Sequence, residues 1–294
     1  LAGVSDYLNN IRQDYVIMGR GDLALNLPVA DVFQQHLDSG ADVTVVCTPP
    51  LRGAPRSSEY VEVSESGRIT DLCIHPIAAG DQLESLELYV LSKQLLLSMV
   101  DYCAAHDVTD FSRGVLQPRL DSLKLIPYVH KGYVGRFQSV DDYYHRSMDL
   151  LDPAVRADLF NPQRPIRTKD QSNPSTYYGP DARSLRSLVA DGCFIEGAVE
   201  NSVLSQGVIV EEGASVSYSV LLPGVRVERG AQVRYAILGE NCRVGAEARV
   251  GAAPEDCDPD AWGLAVLAPE CDVAPGRKVK AGIMLNKRGE ERAK

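Results

Sequence analysis

The spacing of apolar residues divides the chain into two regions with different periodicities. Up to about residue 150, short apolar runs alternate with segments whose apolar residues recur every three to four positions. This pattern predicts a buried strand over 15–18, a helix that begins near Pro28 and ends at Gly40, and a second strand over 43–46. A strand–helix–strand unit implies a right-handed parallel crossover.

The next apolar runs add antiparallel strands to the predicted sheet. Ser66-Gly67 separates the runs 60–63 and 69–74, which predicts a β-hairpin. A strand over 86–91 then leads into a leucine-rich helix. We therefore expect residues 1–150 to form an α/β domain with a mixed sheet. Because ligands of such sheets bind at the carboxyl ends of strands, the loop 19–23 is the first candidate site.

Residues 151–185 have neither periodicity. Five prolines interrupt this segment, and few apolar residues cluster within it: Pro153, Pro162, Pro165, Pro174 and Pro180. Proline removes a backbone donor and fixes φ, so regular structure is broken repeatedly. We expect a proline-rich connector between two domains.

From residue 186 to 294 the period becomes six. Residues 202–218 and 219–235 are identical at eleven of seventeen aligned positions, and a third copy follows over 236–250. Within each copy, aliphatic residues recur every six positions: Leu204, Val210 and Val216 in the first, Leu221, Val227 and Val233 in the second, and Leu238, Val244 and Val250 in the third. This period predicts a left-handed parallel β-helix. Glycines between the aliphatic residues are expected at its corners: Gly207, Gly213, Gly224, Gly230 and Gly245.

Composition narrows the possible functions. The formal net charge is −10, which disfavours nucleic acids and anionic membranes as partners, and no apolar run reaches the ~18 residues of a membrane span. Seven scattered cysteines predict reduced thiols in a cytoplasmic protein rather than disulfides or a zinc site. The chain begins at Leu1 without methionine, and we expect it to be part of a longer protein.

Several local sequences together resemble one enzyme family. They are HLDSGADVTV over 36–45, SLELYVL over 85–91, Asp110-Phe111, Pro165-Ile166-Arg167-Thr168 and Lys278-Val279-Lys280-Ala281-Gly282. With an α/β domain, a connector and a hexapeptide β-helix in this order, the chain resembles ADP-glucose pyrophosphorylase, a glucose-1-phosphate adenylyltransferase of bacterial glycogen synthesis. The resemblance implies a nucleotidylyltransferase domain, Rossmann-like and truncated at its start, and a reaction of ATP with glucose 1-phosphate to give ADP-glucose and pyrophosphate.

The family positions that carry the chemistry are altered here. The resemblance places a metal carboxylate at Asp22, which is retained as a remnant of the substrate site. It places a glutamate and a phosphate-binding lysine where this chain has Ile74 and His75, and a second metal carboxylate where it has Phe137. Phenylalanine cannot coordinate the Mg²⁺ of the family, so we expect neither a bound metal nor catalytic residues.

This pattern resembles the second, regulatory subunit type of the family. We expect a catalytically degenerate protein that assembles with a catalytic glucose-1-phosphate adenylyltransferase subunit, as a heterotetramer or a homo-oligomer. An alternative is an active sugar-1-phosphate nucleotidylyltransferase with altered site residues. An acyltransferase is disfavoured because no histidine follows His145, so the β-helix lacks a general base.

Basic residues near the connector are candidates for an effector site. In the family, sugar-phosphate or nucleotide effectors bind near the junction of the two domains. The candidates here are Arg164, Arg167, Lys169 and Lys278, and solvated surface charge is the alternative interpretation of each.

Overall fold

The computed structural model describes residues 5–51, 58–75, 81–168, 172–258 and 262–291. The chain divides into two units, Leu1–Val134 and Gly135–Lys294. Within the described ranges, none of the helices combines the length and the apolar content that a membrane span needs.

The first unit is an α/β domain. Its helices are α1 (Ser5–Asn10), α2 (Val29–Ser39) and α3 (Lys93–His106), followed by a π-helical turn (Ser112–Leu116) and a 3₁₀ turn (Gln117–Arg119). Its strands are β1 (Tyr15–Gly19), β2 (Leu23–Ala24), β3 (Val43–Thr48), β4 (Ser58–Val63), β5 (Ile69–His75), β6 (Leu83–Ser92) and β7 (Leu125–Val129).

The sheet of this unit is mixed, as predicted. Its strand order is β5-β4-β6-β3-β7, and β1 also pairs with β6. Strand β3 runs parallel to β7 and antiparallel to β6. Gly67, with φ of +79°, makes the predicted hairpin between β4 and β5.

The predicted parallel crossover needs one correction. Strands β1 and β3 run in the same direction, but β6 lies between them and pairs antiparallel with both. The expectation of a buried first strand is also wrong, because Tyr15 and Ile17 in β1 are exposed. A local apolar run does not show which later segment of the chain will pair with it.

Apolar residues are buried on both faces of this sheet. Val43 and Val45 of β3 point to a cluster that includes Leu96 and Val100 of α3, while Val46 points to a cluster that includes Val32 of α2. The continuous buried run of β3 is typical of a strand covered by helices on both sides.

The second unit is largely a β-helix. It contains α4 (Val140–Asp149) and α5 (Pro153–Leu159), a 3₁₀ turn (Pro254–Asp256) and β8 (Gly135–Arg136). Its further strands are β9 (Tyr177–Tyr178), β10 (Arg183–Leu185), β11 (Leu188–Val189), β12 (Phe194–Ile195), β13 (Ala198–Glu200), β14 (Val203–Leu204), β15 (Ile209–Val210), β16 (Ser215–Ser217), β17 (Val220–Leu221), β18 (Arg226–Val227), β19 (Gln232–Arg234), β20 (Ala236–Leu238), β21 (Arg243–Val244), β22 (Arg249–Val250), β23 (Ala265–Leu267), β24 (Asp272–Val273), β25 (Lys278–Val279) and β26 (Met284–Leu285).

Three parallel sheets of six strands each form this β-helix, consistent with the left-handed form that the sixfold period predicts. All nine aliphatic residues of the repeat are buried in one core. The register advances by seventeen residues from Leu204 to Leu221 and again to Leu238. The next step, to Leu267, is longer because an insertion that contains Trp262 leaves the helix between them. The six strands in each sheet extend the fold beyond the three repeats visible in sequence.

The corners of the β-helix are only partly glycine. Gly207, Gly213, Gly224 and Gly230 have positive φ as expected, whereas a third corner uses side-chain-bearing residues at φ of +44° to +48°: Arg186, Asn201, Tyr218 and Tyr235. The hydroxyl of Ser202 accepts a hydrogen bond from the backbone N–H of Ser219 (3.1 Å), and Ser219 accepts one from Ala236 in the same way.

Gly245 has a different role from the one predicted. It does not have positive φ; a Cβ there would lie 2.6 Å from the backbone nitrogen of Pro275 in the next coil. The glycine is therefore required by the close approach of two coils rather than by the conformation of a corner.

The boundaries in the structure differ from those drawn on the sequence. Strands β9 and β10 already belong to the β-helix sheets, which therefore begin at Tyr177 rather than at 186. Helix α4 packs on the β-helix through Tyr144, which contacts the cluster of Val220, Ile237 and Leu264. Its hydroxyl donates to the carbonyl of Tyr218 (2.8 Å). Residues 140–149 thus pack with the second unit, although the sequence places them at the end of the first.

Candidate functional site

A polar cleft lies in the first unit, beside the end of β1 and the middle of β6. It consists of two adjoining cavities of about 480 and 270 Å³ that share Arg20, Glu87, Asp110 and Ser112. The larger is also lined by Met18, Gly19, Tyr89, Thr109 and Phe111, and the smaller by Glu59, Ile74 and Arg113. This position matches the expectation that ligands bind at the loop following β1.

Arg20, Asp22 and Glu87 form a group of ion-paired side chains at the cleft, which we call the triad. The Arg20 guanidinium donates to Asp22 through Nη2 (2.7 Å to Oδ2) and Nε (3.0 Å to Oδ1). Its remaining terminal nitrogen, Nη1, lies 3.0 Å from Oε1 of Glu87. The hydrogen bond that Arg20 donates to Asp22 and the negative charge of Glu87 raise the pKa of Arg20 against the opposing effect of burial. Arg20 therefore carries its charge at every physiological pH.

Glu87, one member of the triad, has an unfavourable backbone conformation. Between β3 and β6 the register shifts, so that Val46 pairs with Leu88 while Cys47 pairs with Ser85. Glu87 lies in this bulge with φ of +52°, and its N–H donates to the Ser85 hydroxyl (3.0 Å). Positive φ at a non-glycine residue costs roughly 1–3 kcal/mol, so the surrounding structure has to hold this conformation in place. The bulge turns the Glu87 carboxylate toward Arg20.

The floor of the cleft holds a buried acid among hydroxyl groups. Burial raises the pKa of Glu59, while hydrogen bonds from Ser112, Ser85 and Tyr89 lower it by less. The hydroxyls of Tyr89 and Ser112 lie 2.7 Å apart, and that of Tyr89 donates to Glu59 (3.4 Å). Burial also raises the pKa of Tyr89, which stays neutral and able to donate.

The cleft carries charges of both signs and suits a polar, hydrogen-bonding ligand. Arg20 and Arg113 offer donors, while Glu59, Glu87 and Asp110 offer acceptors when ionised. The aromatic rings of Tyr89 and Phe111 line the same space. Such a set can hold hydroxyl groups and anionic oxygens together.

The retained carboxylate of the site is paired with an arginine. Among the described residues, no group of three or more His, Cys, Asp or Glu side chains is arranged to hold a metal ion. The Asp22 carboxylate accepts hydrogen bonds from Arg20 on both oxygens. Mg²⁺ binds through carboxylate oxygens at about 2.1 Å, a position that the guanidinium occupies in its place.

The structure brings together some of the sequence-predicted residues. Asp22 binds Arg20, and Arg20 lines the smaller cavity together with Ile74. His75 ends β5, where its backbone pairs with Ser58, and its side chain lies outside the described part of the chain.

Phe137 lies in the second unit, between β8 and α4. Its ring packs at a centroid distance of 6.2 Å from Tyr143. That Phe137 stands in place of a metal carboxylate of the family stays a prediction.

The candidate effector residues occupy separate segments of the second unit. Arg164 is half-buried in the turn after α5, and Arg167 is exposed. Lys278 lies in β25, paired with Arg249 of β22 on the outer surface of the β-helix. Lys169 lies outside the described residues. Their role as an effector site stays a prediction.

Sequence reasoning missed the residues that define the cleft. Arg20, Glu59, Glu87 and Ser112 come from four separate segments. Arg20 lies in the candidate loop 19–23 and Glu87 in the quoted stretch 85–91, but neither residue was singled out. The one available signal was the stretch 85–91, where an acidic residue interrupts an otherwise apolar strand. Only the bulge reveals that this residue points into the site.

Comparison with known proteins identifies relatives of both units. Residues 176–262 match the family model of the GlmU-like, C-terminal hexapeptide. The chain is 28% identical over 211 residues to the glycogen biosynthesis protein GlgD of Bacillus subtilis, a match that covers 72% of this chain and 52% of that protein. It is 26% identical over 289 residues to a glucose-1-phosphate adenylyltransferase of Acetivibrio thermocellus, covering 95% of this chain and 68% of that protein.

The chain therefore spans about half the length of the GlgD protein that it matches and about two thirds of the adenylyltransferase. The resemblance drawn from local sequences is confirmed by these matches. In sequence, the chain is similar to the glycogen biosynthesis protein GlgD and to a glucose-1-phosphate adenylyltransferase, and residues 176–262 are similar to the GlmU-like hexapeptide region.

Proposed function

We propose that this chain is part of a regulatory, catalytically degenerate subunit of glucose-1-phosphate adenylyltransferase. In this role it acts in glycogen biosynthesis, where the enzyme converts ATP and glucose 1-phosphate to ADP-glucose and pyrophosphate. The names of its two relatives support the pathway, since one is a glycogen biosynthesis protein and the other an adenylyltransferase.

The ion pair between Arg20 and Asp22 is the observation that carries the proposal. Transfer of a nucleotidyl group brings two anions together, and catalysis depends on cations that stabilise the charge of the transition state. In this chain the retained carboxylate holds an arginine, and the apolar Ile74 lines the neighbouring cavity. These groups cannot supply the metal-held phosphate chemistry that the reaction needs.

The polar lining of the cleft supports a retained ligand-binding role. The buried carboxyl group of Glu59 and the positive φ of Glu87 each cost stability, which a purely structural subunit has no need to bear. We propose that the cleft takes a sugar-phosphate or nucleotide effector through these donors and acceptors.

The catalytic adenylyltransferase subunit is the partner that we propose, in the cytoplasm and within a hetero- or homo-oligomer. The outer surface of the first β-helix coils supports an assembly role. Tyr177 and Phe194 stack there at a centroid distance of 4.7 Å, and both rings are exposed. Exposed aromatic rings on a regular surface are common at protein interfaces.

The proposal is tested with the full-length protein, purified without its partner. Pyrophosphate release from ATP, Mg²⁺ and glucose 1-phosphate is measured for the chain alone, for the catalytic subunit alone, and for the mixture. We expect no turnover by the chain alone and a changed rate or effector response in the mixture. The heat-denatured chain added to the catalytic subunit is the control.

Turnover by the chain alone overturns the proposal in favour of an active nucleotidylyltransferase with altered residues. No effect of the chain on the catalytic subunit, together with no co-elution of the two, overturns the regulatory role. The variant with Ile74→Glu, His75→Lys and Phe137→Asp sharpens the result. Gain of turnover in this variant shows that the altered positions account for the lost chemistry.

A further inference from the structure

The outer face of one β-helix sheet changes from apolar to charged along its length. This sheet consists of β9, β12, β15, β18, β21 and β24, and it places one outward-facing residue of each strand in register with the next. In order, these residues are Tyr177, Phe194, Ile209, Arg226, Arg243 and Asp272. The face therefore has an apolar end and a charged end.

At the charged end, each arginine pairs with a glutamate of the preceding coil. Nε of Arg226 donates to Glu211 (2.9 Å), and Nε of Arg243 donates to Glu228 (2.7 Å). The second carboxylate oxygen of each glutamate accepts a hydrogen bond from a backbone N–H. Both oxygens of both glutamates are thus hydrogen-bonded within the chain.

The same pairing is interrupted one coil earlier. In register, Glu196 matches Glu211 of the next coil, and Ile209 matches Arg226. An isoleucine side chain cannot donate a hydrogen bond. Among the residues that the structure describes, the half-buried Glu196 carboxylate has neither an ion pair nor a hydrogen bond. A Cβ at Gly179 would lie 3.2 Å from Cγ of Glu196, so this side chain rests against the preceding coil.

We propose that the apolar end of this face, together with the carboxylate of Glu196, is a docking surface for a protein that presents an arginine or a lysine beside apolar side chains. Four residues make up this docking surface: Tyr177, Phe194, Ile209 and Glu196. For the identity of the partner, the catalytic adenylyltransferase subunit, the assignment rests on the proposed function. The surface itself rests on the interrupted pairing and on the exposed rings.

The carboxylate of Glu196 indicates the charge of the partner. In the two later coils, a cation from the next coil lies beside the equivalent carboxylate. At Glu196 the described part of the chain supplies no such cation, and a basic side chain from a partner completes the pair. A charge pair of this kind at an interface fixes which partner binds and in which register.

The two aromatic rings supply the apolar part of the surface. The rings of Tyr177 and Phe194 stack at a centroid distance of 4.7 Å, and the two residues are 49% and 41% exposed. Stacking fixes the rings against one another, so binding costs little further side-chain entropy. Apolar side chains of a partner would remove both rings from water, and buried aromatic residues of this kind often dominate the binding energy of an interface.

A second copy of this chain fits the docking surface less well than a different protein does. In an interface with two-fold symmetry the same patch meets itself, which would bring the Glu196 carboxylates of the two copies near one another. Two carboxylates at close range repel. None of the four residues of the docking surface carries a positive charge that would offset this repulsion.

The test measures the Kd between the full-length protein and the catalytic subunit by biolayer interferometry. Ile209→Arg is expected to weaken association at least about tenfold, because the new arginine pairs with Glu196 within the chain and takes the place of the partner's cation. The same position carries an arginine in two later coils, so we expect this variant to fold, which its melting temperature checks. If it does not fold, Ile209→Gln replaces it, since glutamine also donates to Glu196.

A second variant removes the charge from the docking surface. Glu196→Gln is expected to weaken association at least about tenfold, because the partner's basic side chain loses its counter-charge. Adding Glu196→Gln to Ile209→Arg is expected to cause no further loss, since the carboxylate is then already paired. Glu228→Gln is the matched control: its carboxylate lies at the equivalent position but is paired within the chain, and we expect the Kd to be unchanged.

Failure of this proposal can be told apart from failure of the proposed function. Unchanged association of the folded Ile209→Arg and Glu196→Gln variants overturns the docking surface and leaves the regulatory role intact. No association by the unaltered chain overturns the partner and the proposed function together. Sedimentation of the chain alone tests the other occupant, because a homo-oligomer that Ile209→Arg dissociates would assign the surface to a second copy and overturn the proposal.

Discussion

The two units of this protein bury their apolar residues in different ways. In the β-helix, each coil repeats the same packing arrangement. Equivalent positions of successive coils stack on one another: Leu204, Leu221, Leu238 and Leu267. In the α/β unit each contact occurs once, and buried acids such as Glu59 and Glu84 lie within it. The buried carboxylates of the described residues are found in the α/β unit, and so is the cleft.

This difference between the units concerns where polar side chains can be buried. Among the described residues of the β-helix, the buried side chains are apolar or cysteine except for the two corner serines, Ser202 and Ser219. The single-copy unit tolerates a bulge, a positive-φ glutamate and a raised carboxyl pKa, which together build a site. The irregular unit can therefore bury polar groups beside a cleft, as the described residues show at Glu59.

The largest effect is expected from truncating the repeated core. Leu221→Ala in a middle coil is expected to cost about 2–5 kcal/mol of unfolding free energy, because its neighbours above and below cannot close the cavity. Leu285→Ala in β26 is expected to cost less, since it pairs with Leu267 at the end of the stack. Trp262, the single tryptophan, reports unfolding of this unit by fluorescence.

The matched variant in the other unit is Leu91→Ala, a buried position in β6. If the units unfold separately, Leu91→Ala shifts the circular-dichroism transition of the α/β unit and leaves the tryptophan transition in place. A shift of both probes by both variants would show a single cooperative unit, and the comparison would then be wrong.

A smaller effect is expected at the serine corner. Ser219→Ala removes the hydroxyl that accepts from the buried Ala236 N–H, and the unsatisfied donor is expected to cost about 1–3 kcal/mol in urea unfolding. Ser217→Ala, in the same coil with a side chain that is not fully buried, is the control. An equal loss in both variants would mean that the hydroxyl does not support the corner.

The glycine turns allow a direct comparison of the two units. Gly207 in the β-helix and Gly67 in the hairpin have φ of +68° and +79°, and a Cβ at either would meet nothing within 4 Å. Alanine at each is therefore expected to cost about 1–2 kcal/mol, from conformation alone. Chemical unfolding of Gly207→Ala and Gly67→Ala measures this, and clearly unequal losses would show that packing contributes at one of them.

The smallest effect depends on pH and concerns the cleft. Because burial raises the pKa of Glu59, the folded state holds its proton more tightly than the unfolded state does, and stability falls as pH rises through the folded pKa. Glu59→Gln keeps an acceptor for Ser112 without ionising. We expect the variant to have the higher melting temperature at pH 8 and the difference to disappear near pH 4, close to the ordinary carboxyl pKa of about 4.3. A difference that grows toward acid would contradict the assigned direction.

Much of the fold could be predicted because its signals are local. The hairpin at Gly67, the end of α2 at Gly40 and the buried aliphatic positions of the β-helix depend on residues close in sequence or on a fixed period. The position of β6 between β1 and β3 could not be predicted, because it depends on which distant segments pair.

In the candidate site, too, some residues could be identified from the sequence and others only from the structure. Asp22 was identifiable from its loop, but its partner Glu87 comes from a strand read as apolar, and only the bulge turns that side chain toward Arg20. The sequence shows which residue types occupy the altered positions 74 and 137, but it does not show which residues lie around Ile74 and Phe137 in space.

By itself, the sequence determined the two periodicities, and with them an α/β unit and a β-helix, since side-chain period is a property of the local backbone. The tertiary structure alone decided which charges meet. Arg20 lies near Asp22 in sequence but 67 residues from Glu87, and their contact exists because strand pairing places β1 beside β6. Ion pairs at a site depend on distance in space, which a one-dimensional pattern does not contain.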